Sequence, residues 1–227
     1  MSSPPFDLET VEAATSVAIA AGAHVLQTHF YGDSDIEHVE HLLNWFDPPH
    51  GSTVIDAGSG LGEVSRLMAE MRPDLAFLLI NLSPLQLSLG PENGERFRRL
   101  QADCQDLRAS VPDGFAHAIM FSSALCQMDA ERALSEAHRV LVTDGVILIN
   151  DMARTDDRVQ EMEDVLAARV VSEADLVASV EAAGFSIDRI IRPDGDDRHF
   201  RKMLADVGRE SLIDNVFPVV IRATKRG

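Results

Sequence analysis

At 227 residues, with 45% hydrophobic and 25% charged residues, the chain is sized for one domain with a substantial core, which excludes a disordered or disulfide-scaffold protein. The formal net charge of −17 argues against a nucleic-acid partner, because neutralising phosphates needs a concentrated basic surface. Arg66 is the first Arg or Lys and only two cysteines occur, so no leader and no disulfide framework are expected and the cytoplasm is the expected location.

In chain order, residues 1–7 read as a loose tail and Leu8–Thr28 as an Ala-rich helix. The apolar run Val17–Leu26 is too short to span a bilayer, so no membrane partner is expected. His29-Phe30-Tyr31-Gly32 follows, and a second helix is predicted over Ile36–Phe46 with Ile36, Val39, Leu42, Leu43 and Phe46 on its apolar face. His38 and His41 fall off that face and read as solvated; no further metal ligands accompany them by spacing, so no metal site is expected. Pro48-Pro49 and Gly51 end this region. Residues 1–50 thus read as an N-terminal helical cap, and residues 51–227 as the main domain with a charged insertion near 193–215.

An α/β alternation then begins. Apolar runs at Thr53–Asp56, Ala76–Leu82, Ala116–Phe121 and Val146–Asn150 read as strands, and a weaker strand near residue 100 is placed by the alternation. Helices are predicted at about Glu63–Met71, Ser83–Leu89 and Ala130–Leu141, with a further one opened by Ser172 and Asp175 and stopped by Gly184. Ser186–Arg192 and Phe217–Ala223 read as a closing antiparallel pair. The expectation is a doubly wound, seven-stranded, mostly parallel sheet.

The segment VIDAGSGLGE joins a buried strand to a helix through Gly58, Gly60 and Gly62. Alternate glycines permit a tight turn and close approach of a ligand, and the helix start presents free N–H groups to it. The spacing is D-x-G-x-G-x-G rather than the G-x-G-x-x-G of dinucleotide enzymes; glycines that merely turn the chain are the structural alternative. This segment resembles the first motif of the class I S-adenosylmethionine-dependent methyltransferases, and the likeness runs from about Thr53 to the end. It implies that Asp56 organises the turn while Gly58 and Gly60 face the cofactor. The second strand ends INLSPLQL, similar to a segment of the cyclopropane-fatty-acid synthase and prenyl diphosphate C-methyltransferase group. By that resemblance Asn81, Leu82 and Gln86 contact the adenosine, an amide standing where many relatives carry an acid; Asn81 as a helix cap is compatible with this. Asp103-Cys104 falls where the family reads adenine, and Ser122 reaches the carboxyl edge of the sheet, where open α/β folds bind ligands.

The acceptor side is less defined. FSSALCQMD offers Ser122, Ser123, Cys126 and Gln127 but no carboxylate before Asp129, so the Glu that terpenoid C-methyltransferases carry there has no counterpart. Candidates for proton transfer are His29 and Tyr31. Candidates for substrate binding are Glu63, Cys126, Arg198 and His199, the last two in the most cationic window of the chain. The function expected is methyl transfer from S-adenosylmethionine to a small molecule in secondary metabolism. C-methylation of a prenyl or lipid-like compound is favoured by the NLSPLQ resemblance. O- or N-methylation, a cofactor-binding cyclase, and a non-catalytic subunit are the alternatives. Mg²⁺ is expected only for a diphosphate substrate, and a homodimer is compatible with the sequence.

Overall fold

A computed structural model describes residues 8–20, 31–155, 168–192, 205 and 215–227. The first helices are α1 (Leu8–Ala20) and α2 (Asp35–Phe46), followed by β1 (Thr53–Ala57), α3 (Glu63–Met71), β2 (Ala76–Asn81) and α4 (Pro84–Leu89). Next come β3 (Phe97–Gln101), β4 (Ala116–Ser122), α5 (Ala130–Val140) and β5 (Leu141–Arg154). The described chain closes with α6 (Glu173–Ala182), β6 (Phe185–Ile191) and β7 (Val216–Lys225). The seven strands form one sheet in the order β3-β2-β1-β4-β5-β7-β6. β7 runs antiparallel to both of its neighbours, and the other pairings are parallel.

Buried side chains alternate along the strands and feed two cores, as a sheet covered on both faces requires. Val54, Phe77 and Leu79 face one core with Val39, Leu42 and Phe46 of α2 and Met68 of α3. Ile55, Leu78 and Ile80 face the other with Leu134 and Ala137 of α5 and Leu176 and Val180 of α6. Side-chain caps fix several helix starts: Ser34, Ser83, Asp129 and Ser172 each accept a backbone N–H three residues on.

Two expectations change. Val146–Asn150 is the middle of a 14-residue strand, paired with β7 from Val146↔Thr224 to Arg154↔Val216. The strand is irregular around Gly145: Ala116 pairs with Leu141 and Ala118 with Val146, with Asp144 at φ 61°. The apolar face of α2 is also rotated. Ile36 is 55% exposed, whereas His38 is fully buried, stacked on Tyr31 at a centroid distance of 5.4 Å. At 100° per residue His38, Leu42, Phe46 and Val39 form one stripe, and Ile36 lies at its far side. His41 is exposed, as expected of a solvated histidine.

Candidate active site

The glycine turn is pinned to the neighbouring strand: Gly58 N and Ser59 N both donate to Ile80 O, at 2.9 and 3.0 Å. Gly58, Gly60 and Gly62 all have φ between 53° and 75°, the left-handed region where a Cβ is strained. Their surroundings differ. A Cβ on Gly58 would lie 2.7 Å from Ala124 Cβ, and one on Gly62 would lie 2.9 Å from Leu79 Cδ1. A Cβ on Gly60 would meet nothing within 4 Å, so Gly60 is the glycine whose backbone borders open space.

Asp56, at the end of β1, is buried and accepts a 2.6 Å hydrogen bond from Ser65 Oγ on α3. It therefore clamps the helix after the turn to the strand before it. Burial pushes its carboxyl up to about 6, against the smaller opposing pull of the Ser65 hydrogen bond. Asn81, at the end of β2, is buried; its Nδ2 donates to Gly60 O (3.2 Å) and to Gln86 Oε1 (2.8 Å), and its Oδ1 accepts from Ser83 N (3.0 Å). Gln86 Nε2 in turn donates to Thr15 Oγ1 on α1 at 2.9 Å. Glu12 of the same helix accepts from Ser83 Oγ at 2.7 Å. Two amides, a glycine carbonyl and α1 thus form one hydrogen-bonded run along the turn. Thr15 and Glu12 had no signal in the sequence, because nothing in an Ala-rich helix marks which polar residue meets α4.

The other residues expected on the cofactor side lie around this edge. Leu82 is half-buried, and its carbonyl accepts from Gln101 Nε2 at 3.3 Å. Asp103 Oδ1 accepts both from Gln105 N and from Gln105 Nε2, at 2.9 Å. Cys104 is buried with its sulfur against the Gly58 N–H, and burial pushes its thiol up to about 12. Ser122 Oγ accepts from Asn150 Nδ2 at 3.2 Å.

Of the residues expected on the acceptor side, Tyr31 is 1% exposed; it packs edge-on to Trp45 and donates to Asn150 Oδ1 at 3.2 Å. Burial, assisted by the nearby Asp151, raises its phenol well above the ordinary range, so it holds its proton at neutral pH. Glu63 is paired with Arg66, which donates to both of its carboxylate oxygens. Cys126 N donates to Asp151 Oδ2 at 3.0 Å, and burial raises its thiol strongly. His29, Arg198 and His199 lie outside the described residues, as does most of the charged stretch 193–215. Among the described residues no group of three or more His, Cys, Asp or Glu side chains is placed to hold a metal ion, and no helix is long and apolar enough to cross a membrane.

Asn150 and Asp151 are the residues that sequence reasoning passed over. Both are buried at the carboxyl end of β5. Their signal was present in VILIND, where an apolar strand turns polar at the edge that binds ligands.

Residues 55–149 match the model of a methyltransferase domain. The strand order and the glycine turn are those of the class I methyltransferase fold. No curated protein sequence matches it significantly. Among solved structures it is similar to the [4+2]-cyclase SpnF, with a TM-score of 0.84 and 17% identity, covering 100% of this chain and 98% of that one. It is also similar to geranyl diphosphate C-methyltransferase from Streptomyces coelicolor A3(2), solved with Mg²⁺, geranyl diphosphate and S-adenosyl-L-homocysteine. There the TM-score is 0.78 and the identity 14%, over 96% and 97% of the two chains. A geranyl diphosphate methyltransferase in complex with S-adenosylmethionine gives 0.75 and 17%, over 84% and 85%.

Proposed function

We propose that the protein transfers a methyl group from S-adenosylmethionine to a small molecule. The observation that carries this is the Gly60 turn: open space beside a left-handed glycine, with the Asn81 and Gln86 amides next to it. Those residues fit the cofactor. Gly60 admits close approach of its sulfonium end, and the amides replace a ribose-binding carboxylate with groups that both donate and accept. When bound, the cofactor supplies an activated methyl group, so the protein's task is in-line placement of the acceptor more than bond chemistry. The acceptor's electron pair forms the new bond to the methyl carbon, and the sulfur keeps the pair of the bond that breaks. Gly58 and Asp56 serve this indirectly, one packing the turn on the β4 loop and the other holding α3.

The NLSPLQ segment borders the glycine turn through Asn81 and Gln86. It therefore supports the cofactor and adds little to the choice of a prenyl or lipid-like acceptor. A cyclase reading within the same fold is favoured by the whole-length likeness to SpnF. Calorimetric titration with S-adenosylmethionine and S-adenosylhomocysteine tests the leading reading. One-site micromolar binding of both, weakened in Asn81→Ala, is expected; no binding of either overturns it. Formation of S-adenosylhomocysteine during turnover separates methyl transfer from cyclisation.

A further inference from the structure

A cavity of about 660 Å³ opens between the loop after β4, the carboxyl end of β5 and α6, with no residue of the glycine turn in its lining. Its volume is that of a small-molecule site. Leu125, Met128, Met152 and Leu176 supply an apolar lining, and Asp151 lies in its wall. Asp151 is 2% exposed. Burial pushes its carboxyl up, and the groups that oppose this by stabilising its charge are hydrogen-bond donors: Met152 N at 2.9 Å, Cys126 N at 3.0 Å, the Cys126 thiol and Leu125 N. Among the described residues no Lys, Arg or His forms an ion pair with it. A carboxylate buried without a counter-ion is costly, and a cation that reaches it recovers much of that cost. The rest of the lining leans the same way. Asp129, Glu131 and Asp175 join Asp151 against two cations, Arg154 and Arg169.

We propose that this cavity binds a small organic ammonium ion, its charged nitrogen against the Asp151 carboxylate and its hydrocarbon against Leu125, Met128, Met152 and Leu176. Taking that ligand to be the methyl acceptor rests on the function proposed above; its binding does not. A ligand carrying an anion as well would meet Arg169, whose side chain is exposed at the cavity.

The test uses three matched probes, n-hexylammonium, hexanol and hexanoate, titrated into the full chain with and without saturating S-adenosylhomocysteine. Hexylammonium is expected to bind on the order of tenfold or more tighter than hexanol, with hexanoate weakest. Asp151→Asn, which keeps an acceptor for Cys126 N, should bring hexylammonium down to the level of hexanol. Ala178→Trp in the cavity wall should weaken both probes while S-adenosylhomocysteine binds as before. Should Asp151→Asn fail to fold, the probe ranking and Ala178→Trp still decide the matter. The proposal is overturned if hexanoate binds tightest, if the ammonium advantage survives Asp151→Asn, or if no probe binds. It is equally overturned if Asp151→Asn weakens S-adenosylmethionine but not S-adenosylhomocysteine, since the carboxylate would then serve the cofactor's sulfonium. Failure of S-adenosylhomocysteine to bind would strike the proposed function and leave the probe result standing.

Discussion

Gly58 and Gly60 lie two residues apart in one turn, and the structure separates their roles sharply enough to predict opposite outcomes for the same substitution. Gly58→Ala forces a Cβ at φ 75° and places it 2.7 Å from Ala124 Cβ and 3.1 Å from Met128 Cε. The left-handed conformation costs about 1–2 kcal/mol, and overpacking against a fixed loop adds roughly 1–3 kcal/mol. The expected loss, ~2–5 kcal/mol, is a large part of the ~5–15 kcal/mol that stabilises a typical domain. Gly60→Ala carries only the conformational cost, about 1–2 kcal/mol, because its Cβ meets nothing within 4 Å. That space is where a ligand would approach, however, so affinity for S-adenosylhomocysteine should fall by about tenfold or more. Urea unfolding and calorimetric titration of both variants read the two effects independently. Gly58→Ala should show the larger fall in unfolding midpoint, and Gly60→Ala the larger fall in affinity per unit of stability lost. Unchanged affinity in a folded Gly60→Ala protein would refute the assignment of Gly60 to the cofactor.

Burial raises the Asp56 carboxyl from 3.8 to about 6, so the folded state holds that proton more tightly than the unfolded chain does. Its contribution, on the order of 3 kcal/mol, is present below about pH 4 and lost as pH rises through 6; Asp56→Asn should flatten that fall in urea titrations across this range. Thr15→Val removes the acceptor for Gln86 Nε2 and should weaken S-adenosylhomocysteine binding by about fivefold, at a stability cost near 1 kcal/mol; calorimetry reads the first and urea unfolding the second. Tyr31→Phe deletes a buried donor to Asn150 Oδ1, so the unfolding midpoint should fall by the equivalent of about 1–2 kcal/mol. Cofactor affinity in that variant should stay within about twofold of the parent, as expected of packing and not proton transfer.

What the sequence disclosed and what it hid divide along local and non-local lines. The seven strands, their alternation with helices and the glycine turn depend on nearest neighbours, periodicity and spacing, and each was placed within a few residues. The length of β5 was missed because it is set by its partner: β7 pairs with it as far as Arg154, well past the apolar run. His38 was read as solvated because a polar side chain on a helix has no local mark of burial; its position is fixed by the Tyr31 ring that stacks on it. For Asp151 the polar end of VILIND marks the strand edge, but not which loop its carboxylate meets. A search for a carboxylate along FSSALCQMD finds none before Asp129, yet β5 lies beside β4 and delivers one to the Cys126 N–H from 25 residues further on.

These non-local contacts also explain how an N-terminal region with no catalytic motif becomes part of the site. Thr15 and Glu12 hold the segment after β2, which borders the glycine turn. Tyr31 holds Asn150, which in turn donates to Ser122 at the end of β4. In the proposed function one tie borders the cofactor and the other borders the acceptor. On that proposal the N-terminal residues fix the relative placement of the two ends, as in-line transfer from an activated cofactor would demand. Two separable losses follow from that division. Thr15→Val acts on cofactor affinity through Gln86 and Asn81, whereas Tyr31→Phe acts through Asn150 and Ser122. The residues of the two relays are distinct, so the double variant should show additive free-energy changes within about 0.5 kcal/mol. A larger coupling in urea unfolding would mean that the cap moves as one body and that the two ties are a single contact.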